Sequence, residues 1–355
     1  MTEILVGTKK GLFVLEGEPG AGFEVTARAF AGEPVEYAMR DPASGRILAA
    51  VSSPFYGPKL HYADDAGGEW GQADGVALPD GSDQALERLW VIVAAEPGRL
   101  LMGGDPGVLF ESSDDGASWA LVSSLWDHPT RPDWQPGGGG LCLHSIVPWP
   151  GDPERLALAM SAVGVWLTDD GLRSWRHGNE GIRPRYLPDD VPEDEVGLCV
   201  HRLHRAPSRP ERLFMQFHGG VYRSDDAGES WTDIGAGLPS DFGFPLAIDP
   251  ADPDRAYVIP LTADTDRVTP GGAVRVYETR DAGATWTSRG DGLPDRHAYL
   301  TVLREAFDWT REGDALELYF GATSGDLFGS GDAGNTWFEA ATRLPPVLSV
   351  SARSS

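Results

Sequence analysis

Two short segments place ligand-type side chains in register when they are superposed. GLCLHSI (140–146) and GLCVHRL (197–203) align without a gap, so His144 and His201 occupy equivalent positions. MQFHGG then brings Gln216 and His218 close behind in the chain. Three imidazoles and an amide converging on one spot would suit a divalent metal, with His144, His201 and His218 as ligands, or an anionic ligand. The plainer alternative is that the imidazoles hydrogen-bond neighbouring segments. No cofactor is required; a divalent metal at these residues is the one candidate. His204 falls outside the set, because residues three apart on a strand face opposite sides. Cys142 and Cys199 share the side of His144 and His201, sit deeper, and read as buried free thiols.

A second group has the composition for sugar chemistry. Glycoside hydrolysis needs two carboxylates roughly 5–10 Å apart, one on each side of the scissile bond. Asp133, Asp189, Asp190, Glu193, Asp194, Asp264 and Asp266 all lie in long irregular segments, and Trp126 and Trp134 are candidates to stack on sugar rings. Arg131, Arg183, Arg185, Arg267 and Arg296 are the cations of the same segments. Other chemistries fail. Gly137 to Gly140 is followed by neither GK[ST] nor a helix, so it is no phosphate loop, and no G-x-S-x-G elbow or protease-type Cys–His pairing is present.

The elements that must position these groups come from a repeat. The pattern Ser/Thr, any, Asp, any, Gly, any, Ser/Thr, Trp is intact at 112–119, 224–231, 279–286 and 330–337. Degraded copies lie at 63–70, which lacks both hydroxyl residues, and 168–175, whose glycine is one place early; a weak seventh is EGEPGAGF (16–23). The recurring acids are Asp65, Asp114, Asp170, Asp226, Asp281 and Asp332. The closing aromatics are Phe23, Trp70, Trp119, Trp175, Trp231, Trp286 and Trp337, at spacings of 47, 49, 56, 56, 55 and 51 residues. Seven units of about four strands each predict an all-β, seven-bladed β-propeller occupying residues 1–355 as one domain.

These turns resemble the Asp box of bacterial neuraminidase-repeat propellers, a resemblance that covers essentially the whole chain. It implies that each box closes the hairpin between the third and fourth strands of a blade, with Asp and hydroxyl groups bonding the turn and Trp filling the gap between blades. The cluster at Asp226, Ser224 and Ser230 is therefore architecture. The resemblance does not extend to sialidase chemistry: the Arg-Ile-Pro signature is missing, no arginine triad is recognisable, and sialidases have six blades.

Parsed blade by blade, the chain starts on a second strand (4–8) and ends on an orphan inner strand (345–352). The two are expected to pair and close the ring, removing an exposed sheet edge. The boxes share one rim with the turns that follow inner strands. The long loops 125–140, 181–197, 261–272 and 295–299 fall on the other, which is the candidate functional face. Aligned inner strands put His144, His201, Phe244 and Tyr299 in one column, with Glu36 and approximately Trp90, near the mouth of the central channel. The candidate ligand residues are thus Trp134, His144, His201, Gln216, His218, Phe244, Arg267 and Tyr299.

A formal charge of -25 opposes nucleic-acid and anionic-membrane partners. Strand-like alternation from Glu3, with no apolar leader, predicts a cytoplasmic protein, and two cysteines make no disulfide framework. The expected function is binding of a small or saccharide-like ligand at the channel mouth, with glycosidase activity open. The alternatives are a non-enzymatic scaffold for protein binding or assembly, and a polysaccharide lyase using His144, His201, Gln216 and His218 around a metal.

Overall fold

Each repeat period builds one antiparallel sheet. A computed structural model describes residues 1–184 and 197–354, which form seven four-stranded sheets. The inner strands are Val35–Arg40, Arg88–Glu96, Leu143–Trp149, Val200–Arg205, Gly243–Asp249, Phe307–Glu312 and Val347–Ser354. They touch in that cyclic order, and the last returns to the first, so the sheets stand as blades around a central channel. Second strands are covered by adjoining blades and are largely apolar at their centres; Leu213–Phe217 (LFMQF) is buried throughout, Gln216 included. Among the described residues, no helix is long and apolar enough to cross a membrane.

The ring closes as the parsing predicts. Val347–Ser354 pairs antiparallel with Thr2–Thr8, matching Ile4 with Ala352 and Val6 with Val350, and the sheet continues through Gly11–Glu18 to Gly22–Ala29. Ile4, Val6, Leu318, Phe320 and Val347 belong to one buried cluster across this seam.

The eight-residue turns join third to fourth strands, and their geometry is repeated. At 224–231, Ser224 Oγ donates to Asp226 Oδ1 (2.8 Å) and accepts from the Gly228 N–H (2.9 Å). The backbone N–H and Oγ of Ser230 donate to the two oxygens of Asp226 (2.9 and 2.5 Å). Asp114, Asp281 and Asp332 accept the same bonds. Asp170 does too, and bonds from Ser174 hold its carboxyl down to about 2. Asp65, without the hydroxyl residues, accepts the Gly67 N–H at 2.8 Å. The weak copy at 16–23 forms its hairpin in the expected place with Glu18 where the Asp would stand, its carboxylate 3.6 Å from the Met1 amine. Phe23 packs edge-on to Tyr319 (5.6 Å) and parallel to Phe338 (6.1 Å) of the neighbouring blade.

Candidate ligand site at the channel mouth

The start of each inner strand is where the fold aims side chains at the channel. Five inner strands carry a β-bulge there, and the bulged residues are Glu36, Trp90, His144, His201 and the Phe244–Pro245 pair. Leu348 holds the same place in the closing strand. A bulge leaves one residue out of the ladder and redirects its side chain, which explains why this column carries the functional residue types.

In the remaining blade the position belongs to Glu305, whose backbone bridges in parallel to Ser349 beside the inner strand Phe307–Glu312. This corrects the expected placement of Tyr299. That residue lies in the loop before the strand, 64% exposed, and packs near Gly272 rather than in the column. The preceding blade reaches its inner strand a few residues after Leu238–Pro239. Here Leu293–Pro294 is followed by a longer insertion, so alignment on the Leu-Pro pair stops short.

The column opens into a cavity of about 530 Å³. Trp90, Phe244 and Leu348 supply apolar wall; Lys9, Arg88, Arg267 and Arg304 bring positive charge, and Glu36 and Glu305 negative. The guanidinium of Arg304 sits 4.9 Å from the Phe244 ring and 5.8 Å from the Trp90 ring, while that of Arg88 lies 4.7 Å from Trp90. The Arg304 Nε is buried with no hydrogen-bond partner. Arg267 stands 5.4 Å from Phe244, and its Nε donates to the Asp264 carbonyl (2.9 Å).

Both carboxylates are already matched. Glu36 pairs with Arg88 at 3.7 Å, and Glu305 with Arg202 at 3.4 Å from within the channel. Burial pushes the Glu305 carboxyl up to about 7 against the opposing pull of Arg202, Arg304 and a bond from Trp90. Burial likewise raises the neighbouring Asp308, to about 6. Among the described residues, Lys9, Arg267 and Arg304 have no carboxylate ion pair. The mouth is therefore locally positive in a strongly acidic chain.

The histidines divide. His144 is fully buried, with Nδ1 on Ser145 Oγ (3.0 Å) and Nε2 on the Val200 carbonyl of the next blade (2.9 Å). Both nitrogens are thus engaged, and it does not join a metal group with His201 and His218. His201 bonds through Nδ1 to the Gly243 carbonyl of the blade after its own (2.6 Å). Burial, then Arg304, holds both imidazoles well below their ordinary range, hence neutral. Gln216 turns its amide into its own hairpin, donating to the Phe217 and Gly220 carbonyls (2.9 and 3.1 Å), and so does not complete a metal shell. His204 faces away, as expected, against Trp309 (4.8 Å).

Trp134 is 5% exposed, donates from Nε1 to Thr130 Oγ1 (3.0 Å) and packs on Trp166 (5.1 Å). It anchors its loop instead of offering a face to a sugar. Arg131 ties the same loop to the carbonyls of Pro106 and Gly107 (2.6 and 3.0 Å). Arg185, Asp189, Asp190, Glu193 and Asp194 lie outside the described residues. Cys142 is buried, whereas Cys199 is only half-buried. No motif in the sequence marks Arg88, Arg304 or Glu305; the signal for Arg88 and Arg304 is that each closely precedes a column residue.

No protein-family model matches the chain. A curated xyloglucanase from Paenibacillus sp is 34% identical over 136 residues, a stretch that covers 34% of this chain and 12% of that protein. The chain therefore spans about an eighth of that relative. Solved structures resemble it more broadly. An ancestral GH74 enzyme superposes with a TM-score of 0.58 at 17% identity, covering 86% of this chain and 38% of its own. Apo AztD from Citrobacter koseri gives 0.56 at 12% identity, covering 99% and 97%. YCF48 bound to D1 peptide gives 0.52 at 14%, covering 89% and 84%. The likeness is one of fold.

Proposed function

We propose that the channel mouth binds a small, carboxylate-bearing, saccharide-like ligand. The observation that carries this reading is the pairing of two aromatic walls with three cations that, among the described residues, lack carboxylate partners, in a cavity sized for one or two sugar rings. Arginine binds carboxylate through directed, charge-assisted bonds, and aromatic faces bind sugar rings. The local match to a xyloglucanase and the fold likeness to a GH74 enzyme support a carbohydrate, and the eight-residue turns support assignment to the Asp-box propellers. Calorimetric titration with a hexuronate oligosaccharide and a neutral glucose oligosaccharide of equal length tests it. The reading expects the acidic ligand to bind at least about tenfold more tightly. Equal or no binding of the two contradicts it.

A second reading is glycoside hydrolysis at the same cavity, favoured by Glu305. Its raised pKa suits a general acid, and Glu36, from a different blade, supplies a second carboxylate lining the same cavity. Release of reducing ends from a glucan, lost in both Glu305→Gln and Glu36→Gln, supports it; absence of release from neutral and acidic glycans alike removes it.

A further inference from the structure

Beside the mouth, on a different wall, one blade gathers a thiol and two imidazoles. Cys199 and His201 lead into the inner strand Val200–Arg205, and His218 sits at the turn between Leu213–Phe217 and Gly220–Ser224. The His218 N–H donates to the Cys199 carbonyl (3.0 Å), which holds the two segments in register. One ligand atom from each of Cys199, His201 and His218 lies within 4.8 Å of the other two. The two imidazoles pack edge to face at 5.2 Å. Next to them is a recess of about 220 Å³ lined by His218, Asp241, Phe242, Thr262 and Asp264.

We infer that Cys199, His201 and His218 form a site for one thiophilic divalent cation, zinc by its chemistry, with its fourth position open toward the recess. One thiolate and two imidazoles are the donor set of an open zinc site. The Gly243 carbonyl accepts from His201 Nδ1, which fixes the tautomer and leaves Nε2 as the ligand atom. Tetrahedral zinc with bond lengths of about 2.0–2.3 Å needs ligand atoms roughly 3.3–3.6 Å apart. The widest separation therefore closes by roughly 1.2–1.5 Å, a movement for the half-buried Cys199 and His218 while His201 stays tied to Gly243.

Charge favours the same arrangement. On loading, the Cys199 S–H bond breaks, its electron pair forms the metal–sulfur bond and the proton leaves to solvent. The thiolate and the Asp264 carboxylate, whose Oδ2 lies 3.7 Å from His218 Nε2, together offset the two charges of the ion.

The test uses the full chain, stripped with chelator and titrated with cobalt(II) and then zinc(II). One cobalt per chain is expected, with a near-ultraviolet thiolate-to-cobalt charge-transfer band that zinc abolishes. Cys199→Ser should lose the band, Cys142→Ser should keep it, and His218→Asn should weaken binding by at least about tenfold. A wild-type chain that takes up no stoichiometric cobalt or zinc overturns the inference without any variant, as does a band that survives Cys199→Ser. Saccharide binding is measured separately, so failure here leaves the mouth as a ligand site.

Discussion

The guanidinium of Arg304 lies 4.9 Å from the ring of Phe244 and 5.8 Å from that of Trp90, and its Nε meets no acceptor. One residue on, Glu305 faces inward to Arg202, and burial raises its carboxyl to about 7, so it keeps its proton through the mildly acid range. Adjacent residues thus do opposite work, one charged toward the ligand and one neutralised within the channel. Because burial raises the Glu305 carboxyl from 4.5 to about 7, the folded chain keeps a proton between those values that the unfolded chain has lost. Stability from this group is full below about pH 4.5 and declines as pH rises toward 7. Glu305→Gln lacks that decline. Its melting temperature relative to wild type should therefore rise between pH 5 and pH 8, and a difference that stays flat across that range refutes the assignment. Glu36, Trp90 and Phe244 were legible from aligned inner strands, because a bulge recurs at one position. The occupation of both His144 nitrogens was not, because it depends on a carbonyl 56 residues away in the next blade.

At the scale of the element, the eight-residue turn shows why period and strand pairing could be read while detail could not. Asp, Gly and hydroxyl residues recur because each makes a bond or takes a backbone angle that the turn requires. Intact copies place Asp115, Ala227, Ala282 and Ala333 at positive φ just before the glycine. The copy at 168–175 has glycine in that earlier place, and Leu172 takes the left-handed conformation next (φ 69°). The fold tolerates such drift because the Asp170 bonds survive it. Asp226→Ala should cost about 1–2 kcal/mol, since it leaves Ser224 and Ser230 without their common acceptor. Asp65→Ala, which removes one exposed bond, should fall within about 0.5 kcal/mol. Denaturant melts showing equal losses at the two sites refute a graded role for the turns. The misplacement of Tyr299 has a local cause: the loop between Leu293 and the strand at Phe307 is longer than its counterpart, and no spacing rule reveals an insertion in a single blade.

For the molecule as a whole, one strand converts a row of blades into a ring. Val347–Ser354 pairs along nearly the whole of Thr2–Thr8 and contributes Val347 and Val350 to the core at the seam. Deleting residues 345–355 exposes an edge on the first blade and should lower the melting temperature by roughly 10 °C or more; an unchanged melt contradicts closure by this strand. The same ring gathers Lys9, Arg88, Arg267 and Arg304 at one mouth while the chain carries -25 overall, so attraction for an anion is local and screened by salt. Wild type and Arg304→Met titrated side by side with a hexuronate oligosaccharide, at low and at physiological ionic strength, probe this most directly. The predicted result is binding that weakens with salt and falls at least about tenfold in Arg304→Met. Binding of equal strength in the two proteins, or binding indifferent to salt, would contradict a ligand site at the channel mouth.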